Sequence, residues 1–457
     1  MIHILIISPH FPPTNAADMQ RVRLVLPYLC KAGAEAVVLA IDPEQVAAPL
    51  DEWLQAGLPE NVSVHRVKAL GLLWGRISGL GTLGFRALRA LKKAGDSLLR
   101  TGDIDLVYFS TTQFGVHILG PHWKRKYGIP FVMDYQDPWV SDYYRNHPEV
   151  PPPGGRFKYG IADWLNRRNE PRVLRECCGI TSVSAAYPRQ LRKRYPWLHV
   201  IDSGPRPPTS DPRPPTSPSQ LLSTVLPFPG DSRDFDRVRQ ENISQRVFDP
   251  HDGKRHWVYV GRGGEDMAFA VRALFSALAA LRPLTSDIRL HFIGTSYAAA
   301  GAGRPTIEPL AAEFGLRQQV EEYPDRIPYS EALRCLLDAE ALFVPGSDDP
   351  AYTASKIYPY LLTGKPLLAI FHESSSVTSL IREAGGGIVV PFGGKETTEQ
   401  LGRRVLETAF NASGYLQTVA LNQEGFAPYL ADAQARRLVE FFEQCLANEG
   451  EMERRIR

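Results

Sequence analysis

Short, continuously apolar runs alternate with amphipathic stretches twice over along this chain, and that rhythm leaves few folds open. In the first half IHILIIS leads through RVRLVLPYLCKAG into AVVLAID, and IDLVYFS leads through GVHILGPHWKRKYG into IPFVMDY. Runs this short, apolar at successive positions, are strands buried on both faces, and helices between them make the strands parallel. The rhythm stops at residues 205–218, PRPPTSDPRPPTSP, where seven prolines and two copies of Arg-Pro-Pro-Thr-Ser exclude helix and central strand. It then resumes through HWVYVG, the helical MAFAVRALFSALAAL, IRLHFIG, QVEEYP, ALFVPG, PLLAIF and GGIVVPF. A chain of 457 residues is too long for one ordinary core. The expectation is an α/β protein of two doubly wound, Rossmann-like domains facing a cleft. Residues 1–204 form the first, 205–224 a Pro-rich linker or insertion, 225–430 the second, and 431–457 a C-terminal helix that packs back on the first. Such sheets take ligands at the C-terminal ends of their strands, so each candidate residue is judged by whether it falls there.

Composition narrows the function classes. With 44% hydrophobic and 22% charged residues the chain is globular rather than disordered. The start, MIHILIISPHFPP, reads as a first strand and not a secretion signal, and no apolar run reaches the roughly 20 residues needed to span a bilayer. Five cysteines without a C-x-x-C pair argue for a reducing compartment and against zinc, so a cytoplasmic location is expected. Residues 1–200 carry 25 Lys and Arg against 17 Asp and Glu, a surplus of +8, while the remainder carries 27 against 33, or −6. The basic half implies an anionic partner or surface, and no motif supports nucleic acid. Within Leu72–Arg100, Arg86, Arg89, Lys92 and Lys93 alternate with Phe85, Leu88 and Leu91 at helical spacing. That pattern fits either peripheral contact with an anionic membrane or a core helix with solvated charges.

Several strand ends carry chemistry. VYVGRGGED places Gly261, Gly263 and Gly264 where a strand gives way to a helix, with Arg262 among them. Glycines there allow close backbone approach, and a guanidinium binds an oxyanion through paired donors, although a plain turn with a surface Arg reads the same way. The run is neither G-x-G-x-x-G nor a Walker loop, so hydride transfer and ATP hydrolysis lose support. FIGTSY ends another strand with Thr295 and Ser296, and Pro328-Tyr329 of RIPYSEAL precedes a helix that Ser330 can cap. Tyr329 there can meet a nucleotide base or serve as a hydrophobic staple. FVPGSDDPAYTASK is a polar loop carrying Tyr352, Thr353, Ser355 and Lys356, followed by SKIYPYLLTGKP, where Ile357, Tyr360 and Leu361 mark a buried helical face that Gly364 and Pro366 end. A helix N-terminus flanked by Ser355 and Lys356 suits a phosphate, though an ordinary cap is the plainer reading. In the first half, Asn15, Asp18 and Arg21 leave the first strand, Asp134, Asp137 and Trp139 follow another, and His117 precedes an apolar helical face. Asn15 and Asp18 can be helix caps, Asp137-Pro138 a turn, and His117 a structural histidine.

Together these segments resemble the glycosyltransferases of the GT-B fold, and most closely the large glycosyltransferase family 4. The resemblance rests on ILIISPHFPPTNAADMQRVRLVLPYL, GIPFVMDYQDPW, YVGRGG and SKIYPYLLTGKPLLA, in the family's order and at comparable separations, over most of the chain outside the Pro-rich segment. It implies transfer of a sugar from a nucleotide-sugar donor to an acceptor hydroxyl, retaining and metal-independent, with no cofactor beyond the donor as co-substrate. It implies catalytic roles for Asp18, His117, Asp137, Arg262 and Lys356, and a donor site of Gly261, Arg262, Gly263, Gly264, Thr295, Ser296, Pro328, Tyr329, Tyr352, Thr353, Ser355, Lys356 and Tyr358. The acceptor, a saccharide, lipid-linked saccharide or small metabolite, would meet Asn15, Arg21, Asp134 and Trp139. Three positions depart from the family: Pro359 replaces the Glu that holds the donor ribose, Asn15-Ala16-Ala17 replaces the usual Gly-Gly, and Met267 replaces a Lys. Those departures keep a sugar-nucleotide epimerase and a non-catalytic nucleotide-sugar-binding partner as alternatives.

Overall fold

The computed structural model describes residues 1–71, 81–146, 148, 152, 155–203, 220–296, 303–350, 352 and 354–456. It divides into two compact units, Met1–Phe228 with Ala431–Arg457, and Pro229–Leu430. The first unit holds β1 (Ile2–Ile7), β2 (Ala34–Ile41), β3 (Ser63–Val67), β4 (Leu106–Ser110), β5 (Phe131–Tyr135), β6 (Gly179–Ser182), β7 (His199–Asp202) and β8 (Gln220–Val225). These lie in the order β3-β2-β1-β4-β5-β6-β8-β7. The second holds β9 (Arg255–Val260), β10 (Ile288–Ile293), β11 (Val320–Tyr323), β12 (Ala341–Pro345), β13 (Leu367–His372) and β14 (Ile388–Phe392), in the order β11-β10-β9-β12-β13-β14. Every pairing within both sheets is parallel. Strand order reverses between β1 and β4 and again between β9 and β12, and a doubly wound sheet opens a crevice at the C-terminal ends of such a pair.

Alternate residues of β1 and β4 enter two separate cores. Leu5, Ile7, Val107 and Phe109 face one, while Ile4, Ile6, Leu106 and Tyr108 face the other. The second of these is closed by helix Ala431–Ile456, whose Ala435, Leu438, Val439, Phe442 and Cys445 are buried there beside Val22, Leu26 and Leu29 of helix Gln20–Ala32. The Phe442 ring meets Tyr108 edge-on at 5.0 Å, and Lys124 pairs with Glu449 at 2.8 Å. Each buried Leu, Val or Phe among these contributes about 1.5–3 kcal/mol by leaving water.

One expectation changes, and one pair of alternatives is narrowed. The linker placed at 205–224 ends earlier, because Gln220–Val225 is a strand paired with both β6 and β7, and the first unit runs to Phe228. QLLSTV is half polar and stands directly behind the prolines, which hides a strand whose Ser223 instead bonds across to Ile201 O at 3.2 Å. The Arg-Pro-Pro-Thr-Ser copies at 205–218 lie outside the described residues. Helix Leu83–Leu99 is a core helix: Arg86 is buried and donates to Leu70 O (2.6 Å) and Gln45 O (3.1 Å), Leu91 is buried, and Lys92 pairs with Asp96 at 2.9 Å. Of the charges expected to form a membrane face there, Arg89 and Lys93 are exposed, and residues 72–80 lie outside the described part. Among the described residues no helix is long and apolar enough to cross a membrane.

Candidate functional site

The C-terminal end of β9 is bolted to the helix that follows β12. Ile357, Tyr360 and Leu361 bury one face of the short helix Ile357–Leu362, and the Tyr360 hydroxyl accepts from Val260 N at 2.6 Å and donates to Val260 O at 3.1 Å. That clamp sets Lys356, the residue capping the helix, against Gly261. A Cβ on Gly261 would overlap the Lys356 ammonium, so any side chain there displaces that end of the lysine. A Cβ on Gly263 would come 2.8 Å from Thr306 Oγ1, and Gly264 has φ +139°, a conformation L side chains rarely adopt. The loop also extends the sheet, Gly261 N donating to Ile293 O and Gly263 N to Thr295 O, each at 2.8 Å.

Charge at this loop is positive and unevenly compensated. Lys356 Nζ donates to the Tyr259 hydroxyl at 2.6 Å, and that hydroxyl donates onward to Arg262 O at 2.8 Å. Among the described residues no carboxylate stands within ion-pair distance of Lys356. Burial of the ammonium and the nearby Arg262 guanidinium, with Arg326 adding to them against Asp266, lower its pKa to about 7. Arg262 by contrast is spent: it grips Asp266 with two bonds of 2.9 and 2.6 Å and lies 4.9 Å over the Tyr352 ring. Burial raises the Asp266 carboxyl, but Arg262 outweighs it and holds the group below its ordinary range.

Other residues expected at the donor site divide by what they touch. Thr295 is buried and its hydroxyl donates to Glu322 at 2.6 Å, while Ser296 N donates to Pro324 O at 3.0 Å. Pro328 caps helix Tyr329–Asp338 and is exposed, Tyr329 is half-buried, and Ser330, expected as the cap, lies inside the helix and is buried. Tyr352 stacks on Phe371 with centroids 6.2 Å apart, and Ser355 is exposed beside Lys356. Tyr358 is corrected to a packing role, since it is buried with its ring 5.7 Å from Tyr429 and 6.5 Å from Phe426. Thr353 lies outside the described residues. Sequence reading missed Tyr259, Asp266, Arg326 and Glu322. Tyr259 reads as one more core aromatic in a strand. Glu322 accepts from the backbone N–H groups of Thr306, Ile307 and Glu308 at 3.0, 2.8 and 3.0 Å, a cap contributed from another strand.

At the corresponding crevice of the first unit the charges are closed in. Asp18 binds His10 Nδ1 at 2.8 Å, Thr111 Oγ1 at 2.9 Å, and the Thr112 N–H and hydroxyl at 3.2 Å each. Burial raises Asp18, yet His10 and the threonines outweigh it and lower its pKa, and the carboxylate raises His10 against its own burial. Arg21 and Asp134, expected to meet the acceptor, are 1% exposed each and pair at 2.7 Å. Arg21 also donates to Leu226 O, and Asp134 accepts from Ser110, Gln136 and Thr181, so both are structural. Trp139 is buried too, donating to Asn166 Oδ1 at 3.0 Å and stacking on Phe114 at 5.9 Å. His117 lies 5.1 Å from the Trp139 ring and 5.5 Å from Phe109. Burial lowers its pKa to about 3, and neither ring nitrogen has a hydrogen-bond partner among the described residues. Asn15 is half-buried with its N–H on Pro49 O, and Asp137 is exposed at the end of β5. Among the described residues no group of three or more His, Cys, Asp or Glu is arranged to hold a metal ion.

No protein-family model matches this chain, and no curated protein matches it in sequence. Solved structures do match. A glycosyltransferase from Rickettsia africae superposes with TM-score 0.55 at 11% identity, over 97% of this chain and 98% of its own. HepE from Anabaena, solved in complex with UDP, gives 0.50 at 13%, over 100% and 99%. MnaA from S. aureus, solved with UDP, gives 0.51 at 12%, over 98% and 98%. The fold is GT-B. Within a GT-B chain the two units repeat one strand order, so their crevices can be compared position by position.

Proposed function

We propose that this protein is a glycosyltransferase that takes its sugar from a nucleotide-sugar donor, in the manner of glycosyltransferase family 4, with retention and without a metal. The observation that carries the reading is Lys356: an ammonium held only by a phenol, beside a glycine that yields it space, waits for an anion. A donor diphosphate supplies one. Lys356 neutralises the leaving phosphate, which is the main demand of the chemistry, while Arg262 is held by Asp266 at the edge of the same loop. The bond from the anomeric carbon to the diphosphate breaks, and the acceptor oxygen bonds to that carbon on the face just vacated. The acceptor proton passes to the departing phosphate oxygen. His117, buried among Phe109, Phe114 and Trp139 and kept neutral at physiological pH by that burial, packs beneath the crevice rather than meeting substrate.

One neighbour is named a glycosyltransferase, which supports the choice, while the two solved with UDP support a uridine-nucleotide ligand that a transferase and an epimerase share. Turnover of uridine, guanosine, thymidine and adenosine diphosphate sugars, with and without saccharide, lipid-linked saccharide or small-metabolite acceptors, tests it. Transfer or slow donor hydrolysis that disappears in K356A supports the reading. Release of an epimerised sugar nucleotide without acceptor would establish an epimerase instead, and donor binding with no turnover would establish a binding partner.

A further inference from the structure

Helix Arg156–Leu174 of the first unit shows solvent a face of one charge sign with two bare aromatics. Phe157 is 74% exposed and Trp164 59%. Trp164 and Arg168 follow Phe157 by seven and eleven residues, which sets the three on one stripe within about 40° of helix arc. Arg156, Lys158 and Arg172 are exposed as well, and the Arg168 guanidinium lies over the Trp164 ring at 5.6 Å.

Both acids of the helix are turned inward. Asp163 is buried against Arg145 and Arg167 at 2.7 and 2.9 Å, and Glu170 is fully buried, accepting from Tyr135 at 3.2 Å and Tyr195 at 2.7 Å. An ordinary solvated face mixes charge signs and hides its large rings. We propose that this face docks on an anionic lipid bilayer, Phe157 and Trp164 entering the boundary between headgroups and acyl chains while the arginines and Lys158 lie among lipid phosphates. Single-stranded nucleic acid is also met by cations and rings, but along a groove, and one exposed helix provides none. The proposal is independent of what the second unit binds.

Flotation with vesicles of equal parts phosphatidylglycerol and phosphatidylcholine tests it, using the full chain. Binding is expected at low salt and not in about 1 M salt, where screening shortens to about 3 Å. F157A/W164A and R168E/R172E are each expected to lower partitioning about thirtyfold or more, on the scale of two lost cations or two withdrawn rings. R89E/K93E on helix Leu83–Leu99 is expected to leave it unchanged, and circular dichroism to show all three variants folded. The proposal is overturned by any of four results: no binding at low salt, equal binding to pure phosphatidylcholine, unimpaired binding by both double variants of this helix, or loss in R89E/K93E. Capture by single-stranded DNA without capture by vesicles would replace the bilayer with a nucleic acid.

Discussion

The crevices after β1 and after β9 occupy the same place in the same strand order, and their charges are handled in opposite ways. After β1, Asp18 and Asp134 are surrounded by His10, Arg21, Gln136 and hydroxyls, so that each carboxylate oxygen is satisfied from within. After β9, Lys356 has a tyrosine hydroxyl and, among the described residues, no carboxylate at ion-pair distance, and two glycines keep side chains out. One arrangement stabilises the unit that contains it. The other holds a cation in poor solvation, a cost that only binding an anion recovers.

The largest effect that would break this comparison is on stability. Removing one member of the buried Arg21–Asp134 pair, as in R21A, strands a charge and is expected to cost about 3–5 kcal/mol. In K356M, by contrast, chemical denaturation should give an unchanged or higher midpoint, since an ill-solvated charge is gone. Equal losses in the two variants would erase the distinction. On activity the order inverts: K356A is expected to lower turnover by about 10² or more, the scale of losing one transition-state donor, in a protein that melts normally.

A smaller effect follows from the His10–Asp18 pair. His10 is raised in the fold, so its contribution is complete below its unfolded pKa of about 6.5 and disappears as pH rises through the higher folded value. Asp18 is lowered, so its contribution is present above about 3.9 and disappears as pH falls through the folded value. The pair therefore stabilises most from about pH 4 to 6.5, and melting curves of H10N should lack the decline that the wild type shows above that window. Smallest is G261A, which presses a methyl on the Lys356 ammonium and should weaken UDP binding about tenfold, the price of displacing one charge-assisted bond, with little change in melting.

The alternation of apolar runs made ten of the fourteen described strands legible, because strands buried on both faces carry their signal in every residue. β3, β6, β7 and β8 escaped: SVHRV, GITS and HVID are short and carry polar residues, and Ser223 and Thr224 make β8 read as part of the polar segment before it. The glycine loop and Lys356 were legible for a similar reason: space and charge at a strand end are local properties. Arg21 and Asp134 were misread as ligand contacts because sequence shows that two residues are charged but not that they are buried against each other from distant parts of the chain. Tyr259 was invisible as a lysine partner, being one aromatic among many in a strand.

Calorimetric titration of UDP from pH 6 to 9 tests most directly whether the Lys356 ammonium receives an anion. With Lys356 near pKa 7 in the free protein, phosphate binding should raise that value, so affinity stays level below pH 7 and weakens by up to about tenfold per pH unit above it, with uptake of up to one proton per UDP. K356M should bind more weakly and show neither the slope nor the uptake. Wild-type affinity that is flat from pH 7 to 9 without proton uptake, or K356M binding as tightly as the wild type, would contradict the account.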